Sequence, residues 1–579
     1  MWVDEALKPF GARLSFRSGI QAGLIIREEQ GLPPEGYRLR IAVNGVVLGA
    51  KDTAGMQHGL ASLAQWLELT PERRPGASVP GVLIEDHPNF PERGAMLDVA
   101  RDKRPKLKVL KAFVEQLARW KFNRLQLYME ADFAFADAKV VLDGRSPYTP
   151  REMRALSQHA EKFHVTLVPN QQSFGHMHPW LRHSPWNQLA EVPEGVQHPF
   201  SKNKEPFSLN PGDPRSLDFL GGLYDGLLPS FHADQVNVGL DETFDLGLGA
   251  SRERCEQEGK SKVYLKFLND VHGLLAERGK RMMYWGDIVL EHPEILEELP
   301  KDATAMIWGY EATHPFQEQL AKLSASGLPF QVCPGTSSWN NFGGRTTNAF
   351  GNLREAARCA LAQGAEGLLI CDWGDRGHLQ PWPISFFGWV YGAACAWNPQ
   401  AAEGRNPKDV GDWLNQWAFR ESPVAVGSVL LQLGAVADWM EDPCENGTGL
   451  FFALAFPEEA LPNPRVARFP VEVLDKVEQS LNQILSSEQE RDTDDAPDDL
   501  VRSELIFARD ALLLATRFLR DRLQASPDGD WRKLPEAQRD AHRAAQARLR
   551  ETHAALWPER YRQGGLEASL QWLNSLEEQ

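Results

Sequence analysis

Along the middle of the chain, short apolar runs recur every few dozen residues, and amphipathic stretches fill the gaps between them. The runs at 92–100, 122–130, 165–171, 235–241, 282–288, 304–310, 330–339 and 367–373 are rich in aliphatic and aromatic residues. Such runs predict strands covered on both faces, as in a parallel sheet. After the first run, Leu110, Phe113, Leu117 and Trp120 share one helical face, and helical spacing returns at 216–228, 262–278, 315–326, 352–363 and 384–397. Thr149-Pro150 opens a further helix, because proline suits a first turn. Eight strand–helix units in roughly 300 residues predict an α/β fold, the (β/α)8 TIM barrel. A doubly wound open sheet would favour a glycine-rich phosphate turn after its first strand, and the chain has none.

The pattern changes on either side of the barrel. Residues 1–85 predict an α+β domain: Tyr37, Leu39, Ile41 and Val43 alternate as a strand, Asn44-Gly45 is the hairpin turn, and residues 46–48 return. A helix follows, with Thr53 as its cap and Leu60, Leu63 and Leu67 on one face. The barrel occupies 86–400. Residues 401–579 are helical and charged, with amphipathic segments near 424–440, 471–485, 500–523 and 537–556 and an acidic, solvated loop at 487–499.

In a TIM barrel the chemistry sits at the C-terminal mouth, where strands pass into loops. Those positions hold Asp98 and Arg101, Glu130 and Asp132, His176, Asp241 and Glu242, Trp285 with Asp287, Trp308 with Tyr310, Trp339, and Trp373 with Asp375. Adjacent acids at a strand exit oppose each other's ionisation, an arrangement that chemistry uses more readily than packing does. Four successive strands end in tryptophan, a flat apolar platform with one donor that suits the C–H face of a sugar. The mouth is therefore expected to bind carbohydrate.

Charge and composition narrow the partners. A net charge of −17 argues against nucleic acid and against anionic membrane surfaces. The N-terminus, MWVDEALKPF, lacks a basic segment followed by an apolar run, so no signal peptide is expected, and no apolar stretch is long enough to span a bilayer. The cysteines at 255, 333, 359, 371, 395 and 444 have no CxxC spacing and are expected to be reduced. His176 and His178 have no carboxylate beside them in sequence, which predicts no metal site. The expectation is a cytoplasmic protein without metal or cofactor, its oligomeric state left open, a homo-oligomer included.

Over residues 30–390 the chain resembles glycoside hydrolase family 20, the β-N-acetylhexosaminidases. The resemblance rests on Gly36-Tyr37-Arg38-Leu39, Ala54-Gly55 and Gly59-Leu60, then the run 84–98 (IEDHPNFPERGAMLD) leading into the first barrel strand. It continues through Gly175-His176, Asp241-Glu242, Trp285-Gly286-Asp287 and Trp373-Gly374-Asp375. The chain departs from the family pattern at Asn237-Val238-Gly239-Leu240 before the acid pair, at Gln172, at Gln126-Leu127-Tyr128, and in 334–339, which lack a tyrosine.

The resemblance implies roles. Glu242 is the general acid and base, and Asp241 holds the N–H of a substrate 2-acetamido group. Arg93 donates to the 3- and 4-hydroxyls of the terminal sugar, and Asp375 accepts from the 4- and 6-hydroxyls. Trp285, Trp308 and Trp373 wall the pocket, with Tyr310, Trp339 or a serine standing in for the absent tyrosine. His176 sits behind Glu242, supported by Glu130. Physical reasoning agrees that the acid pair cannot straddle an anomeric carbon, since neighbouring Cα atoms are ~3.8 Å apart. Ordinary glycosidases place carboxylates ~5–5.5 or ~6.5–9.5 Å apart on two sides of the bond. The implied activity is exo-acting, retaining hydrolysis of terminal β-linked GlcNAc or GalNAc, with the acetamide oxygen as nucleophile. A retaining glycosidase of other sugar specificity using Glu130, Asp287 or Asp375 as a separate nucleophile, and a non-catalytic carbohydrate-binding protein, are the alternatives.

Overall fold

The computed structural model describes residues 2–10, 23–75, 77–199, 203–420, 422, 424–485 and 499–577. The N-terminal sheet contains β1 (Leu24–Glu28), β2 (Tyr37–Ala42), β3 (Gly45–Ala50) and β4 (Val82–Asp86), in the order β1-β3-β2-β4. Tyr37, Leu39 and Ile41 point into its core as the alternation predicts. Val43 does not: it sits fully exposed on the hairpin turn, which therefore lies one residue earlier than Asn44-Gly45 suggests. The helix Thr53–Leu69 crosses this sheet, and its cap is Asp52 rather than Thr53, with the Asp52 carboxylate accepting from the N–H of Gly55.

Eight parallel strands follow: β5 (Glu92–Asp98), β6 (Arg124–Tyr128), β7 (Thr166–Val168), β8 (Gln235–Asn237), β9 (Arg281–Trp285), β10 (Thr304–Trp308), β11 (Phe330–Cys333) and β12 (Gly367–Asp372). β12 pairs with β5, and a bridge between Asn170 and Asn237 joins β7 to β8, which closes the TIM barrel. Inside it, Met96, Tyr128, Val168, Met283, Trp285, Met306, Cys333, Leu369 and Cys371 form a packed column. Trp308, Tyr310 and Trp373 lie on top of that column, so the barrel core itself supplies the floor of the mouth. Between strands, Leu110, Phe113 and Leu117 bury their helix face, and Thr149 with Glu152 forms a reciprocal cap in front of Pro150.

Several strands are shorter than their apolar runs. β8 stops at Asn237, and the backbone then leaves the sheet through Gly239, Leu240 and Glu242 at positive φ. His176 and Ser337 do the same after β7 and β11. Side chains in this left-handed region are strained, and the strain is concentrated around the mouth. Gly239 is required there, because a Cβ would fall 1.3 Å from Oε1 of Gln172.

The C-terminal helices grip the barrel. Leu500–Ala525 packs against Val471–Gln483, Gly449–Ala455 and Glu536–Arg560. The turn after the last of these clasps the loop after β5: Lys106 N–H donates to Arg560, and Arg562 N–H to Arg104. The acidic run at 487–499 lies outside the described residues except for Asp499, whose side chain caps Leu500–Ala525. All six cysteines are free and five are buried. Among the described residues, no helix is long and apolar enough to cross a membrane.

Candidate active site

Asp241 and Glu242 meet at one imidazole. His176 Nε2 lies 3.1 Å from Glu242 Oε2 and 3.3 Å from Asp241 Oδ2. Its Nδ1 faces Glu130 at an ion-pair distance of 3.5 Å. The loop carrying His176 is pressed against the acid pair, since a Cβ on Gly175 would fall 2.4 Å from the Asp241 carbonyl. Burial disfavours a charged ring, but Asp241, Glu130 and Glu242 together raise the His176 pKa well above its ordinary value. Burial likewise opposes ionisation of Glu130, yet Arg101, His178 and His176 hold its carboxyl far below the usual range. The ring of His176 thus lies buried between acids on two sides, which favour its protonated form.

The resemblance placed His176 by Glu242 and Glu130, and the structure adds Asp241 to them. Donor atoms of His176, Asp241 and Glu242 fall within 4.8 Å of one another, a spacing compatible with one cation.

Asp241 is held from its other side by Gln172, whose Nε2 donates to Asp241 Oδ1 at 3.1 Å and to the Tyr128 hydroxyl at 2.6 Å. Tyr128 donates in turn to Glu130 Oε1 at 3.2 Å. Deeper in the barrel, Asn237 Nδ2 donates to Gln126 Oε1. Gln126, Tyr128, Gln172 and Asn237 are among the positions at which the chain departs from the family pattern. They bond in two pairs, and the Gln172–Tyr128 pair is the one that supports Asp241. Asp287 accepts from the Glu242 N–H at 3.0 Å, and burial, reinforced by Asp241, pushes its carboxyl up to about 8.

Two adjoining cavities share Glu242 and Trp308. The inner one, about 80 Å³, is lined by Arg101, Asp241, Glu242, Trp285, Trp308, Tyr310, Trp339, Trp373, Asp375 and Asn446. The outer one, about 300 Å³, is bounded by residues including Phe244, Tyr264, Asp287, Ile288 and His292. Within the inner cavity Trp373 Nε1 donates to the Tyr310 hydroxyl at 2.8 Å, leaving the tyrosine proton available. Trp308 stacks on Tyr310, and Trp339 meets Tyr310 edge-on. The mouth thus brings together Asp241, Glu242, His176, Trp285, Asp287, Trp308, Tyr310, Trp339, Trp373 and Asp375, while Glu130 stands one layer behind.

Arg93 is not among them. It is the second residue of β5, at the opposite end of the barrel, and only 1% of it is exposed. Its guanidinium pairs with Glu35 of the N-terminal region and donates to the carbonyls of Lys121 and Phe90 at 2.8 and 2.7 Å. It cannot reach a sugar at the mouth. The arginine that does line the cavity is Arg101, just beyond the other end of the same strand. It lies over the rings of Tyr128 and Trp373, and it pairs with Asp98 at 3.3 Å and Glu130 at 3.5 Å. Strand direction was the available signal for Arg101, since it follows Asp98 in the mouth turn. Asn446 carried no signal in the sequence at all.

Comparison with known proteins agrees with this architecture. The description "Glycosyl hydrolase family 20, catalytic domain" matches residues 90–354, and "Glycosyl hydrolase family 20, domain 2" matches residues 2–87. The chain is 26% identical over 348 residues to a β-hexosaminidase of Porphyromonas gingivalis, covering 52% of this chain and 44% of that protein. It is 28% identical over 200 residues to hexosaminidase D of Homo sapiens, covering 33% and 39%. The first curated relatives are spanned over only 24% to 50% of their own lengths. A β-N-acetylhexosaminidase from Bacteroides fragilis shares the fold at a TM-score of 0.57 and 19% identity, covering 72% of this chain and 88% of that one. The Streptomyces plicatus N-acetyl-β-hexosaminidase in complex with Thio-NAglucal does so at 0.57 and 20%, covering 74% and 88%. With both family domains matched in order and the barrel closed around the acid pair, the chain belongs to glycosyl hydrolase family 20.

Proposed function

We propose that this protein is an exo-acting, retaining β-N-acetylhexosaminidase that removes terminal β-linked GlcNAc or GalNAc with the substrate's acetamide as nucleophile. One observation carries the reading: Asp241 and Glu242 reach the cavity from one strand end, joined through a single His176 nitrogen. Two acids tied together in this way act from the same side of the bond. Aromatic rings supply most of the remaining lining, so the attacking group is best furnished by the sugar itself, the substrate-assisted route open to this family.

In that route Glu242 gives its proton to the leaving oxygen as the C1–O bond breaks. The acetamide oxygen bonds to C1, forming an oxazolinium ion. Asp241 faces the acetamide nitrogen and stabilises the positive charge that develops there. The Tyr310 proton points to the acetamide oxygen, orienting it for attack. Glu242, now a carboxylate, takes a proton from water, and the resulting hydroxide equivalent opens the ring at C1 with retention. Arg101 and Asp375 grip the sugar hydroxyls, in place of the Arg93 contact that the resemblance implied. Relatives named β-hexosaminidase support this reading.

The test is a panel of nitrophenyl glycosides differing only at C2. The β-GlcNAc or β-GalNAc compound is expected to be cleaved and the matching glucoside and galactoside left nearly untouched. Progressive fluorination of the acetyl methyl should slow the reaction, and a thiazoline mimic of the intermediate should inhibit tightly. The competing reading uses Asp375, which also lines the cavity, as a separate nucleophile. A covalent adduct with a 2-deoxy-2-fluoro sugar on Asp375, detected by mass spectrometry, would establish that reading instead.

A further inference from the structure

We infer that Asn446, which lies outside both matched family domains, is a specificity-determining residue whose side-chain amide donates to a hydroxyl of the sugar beside Asp375. The inference deepens the N-acetylhexosaminidase reading and rests on it. Asn446 belongs to the loop 441–448, between the C-terminal helices Val436–Met440 and Gly449–Ala455, yet it lines the same inner cavity as Asp241, Glu242 and Asp375.

The orientation of its amide follows from chemistry. An indole N–H only donates, so the Asn446 atom 2.7 Å from Trp339 Nε1 is its oxygen. The amide nitrogen is therefore the other end, and it has no protein partner among the described residues. Asn446 is exposed, so this N–H2 is open to the cavity, where it can donate to a hydroxyl oxygen that takes the place of water. Asp375, a pure acceptor when ionised, lines the same cavity. A donor and an acceptor together can read hydroxyls in both of their roles, which apolar platforms cannot do.

The loop is also fixed for this purpose. Asn446 sits at φ 53, a conformation that asparagine tolerates better than most residues. Its backbone N–H donates to Glu311 Oε1 at 2.7 Å, and its carbonyl accepts from Asn340 Nδ2 at 2.9 Å. Glu311 is locked by a two-pronged pair with Arg345, and Asn340 accepts from Arg376, the residue after Asp375. The loops after β10, β11 and β12 thus converge on one asparagine from the C-terminal region. That convergence makes the region part of the sugar site rather than an appendage to the barrel.

The test is a substrate–variant cycle on the full chain. Wild type and Asn446→Ala are compared on the parent glycoside and on its 3-, 4- and 6-deoxy analogues. Asn446→Ala is expected to lose about tenfold in kcat/KM on the parent, in keeping with one lost hydrogen bond. That loss should vanish on the one analogue lacking the hydroxyl that Asn446 reads. Asn446→Asp keeps an acceptor for Trp339 but removes the donor, so it should be at least as impaired as the alanine variant. A loss that is equal across all four substrates, or an aspartate variant as active as wild type, would mean that Asn446 only positions Trp339, and the inference would fall alone. A wild type inactive on every N-acetylhexosaminide would overturn the functional reading itself, and this inference with it.

Discussion

The two ends of β5 carry two arginines with opposite occupations. At the lower end, Arg93 joins Glu35 and, through it, His58, sealing the N-terminal region to the barrel. At the upper end, Arg101 lies over Tyr128 and Trp373 and faces a cavity. Both are deeply surrounded and both pair with carboxylates. They differ in where they stand. Arg93 donates to protein carbonyls and one glutamate beneath the barrel, whereas Arg101 lines the cavity at the mouth. Burial and ion pairing alone do not mark a catalytic centre; the direction in which the strand runs does.

The largest effect expected from breaking this contrast is at Glu242. Glu242→Gln should lower kcat on a natural disaccharide by ~10²–10⁴-fold, the usual contribution of a positioned acid. The loss should be smaller on a nitrophenyl leaving group, which needs little protonation. Equal losses on both would remove Glu242 from the acid role.

The arginines themselves come next. Arg101→Met should reduce kcat/KM by about 10²-fold, the scale of a charged hydrogen bond or two. Arg93→Met should leave kcat/KM of the folded protein unchanged but cost about 3–5 kcal/mol of stability, as stripping one partner from a buried pair does. Urea unfolding alongside steady-state kinetics separates the two. A kinetic defect confined to the Arg93 variant would invert the assignment of the two ends.

Acid should weaken the ion-pair network at the lower end. Burial holds His58 at about 4, below its unfolded value near 6.5, so the unfolded chain takes up the proton first. Stability is therefore lost as pH falls from about 6.5 towards 4. Burial opposes charge on Glu35 as well, but the hydrogen bond from His58 and the charge of Arg93 hold it at about 2. Its contribution is complete above its ordinary value and disappears as pH falls through about 2. His176 has the opposite sign: raised by its carboxylates, it stabilises fully below about 6.5 and loses that contribution as pH rises through its folded value. His58→Gln should make the Tm-against-pH curve shallower between 6.5 and 4. The slope should not disappear, because burial lowers His178, His378 and His553 too. An unaltered slope would exclude His58 as a contributor.

The smallest effect concerns the helix that crosses the N-terminal sheet. Asp52→Ala removes the cap on Gly55 and should cost about 1 kcal/mol. Activity should be untouched, as expected of a region whose role is support. A measurable change in kcat/KM would show that the lower end communicates with the mouth.

The barrel was legible because its signal is local. Apolar runs, helical stripes and the Asp241-Glu242 pair can be read within windows of ten or twenty residues, and strand ends locate the mouth once the fold is assigned. Trp285, Trp308, Trp339 and Trp373 were legible for the same reason. The run 84–98 drew attention to Arg93 by resemblance, although its place at the start of β5 puts it at the far end. Where strands stop was less legible, since apolar residues continue past the last ladder bond into the positive-φ turns at Leu240 and Ser337.

By itself, then, the sequence determined the strands, the helices, the acid pair and its aromatic surroundings, all of which depend on spacing along the chain. Only the tertiary structure decided that Asp241 and Glu242 would share one nitrogen of His176, that Gln172 and Tyr128 would brace Asp241, and that Asn446 would line the same cavity as Asp375. Asn446 and Trp339 are 107 positions apart and share no periodicity. Their contact exists because helices packed on the barrel return a loop to its mouth, and packing between distant segments leaves no trace in local spacing.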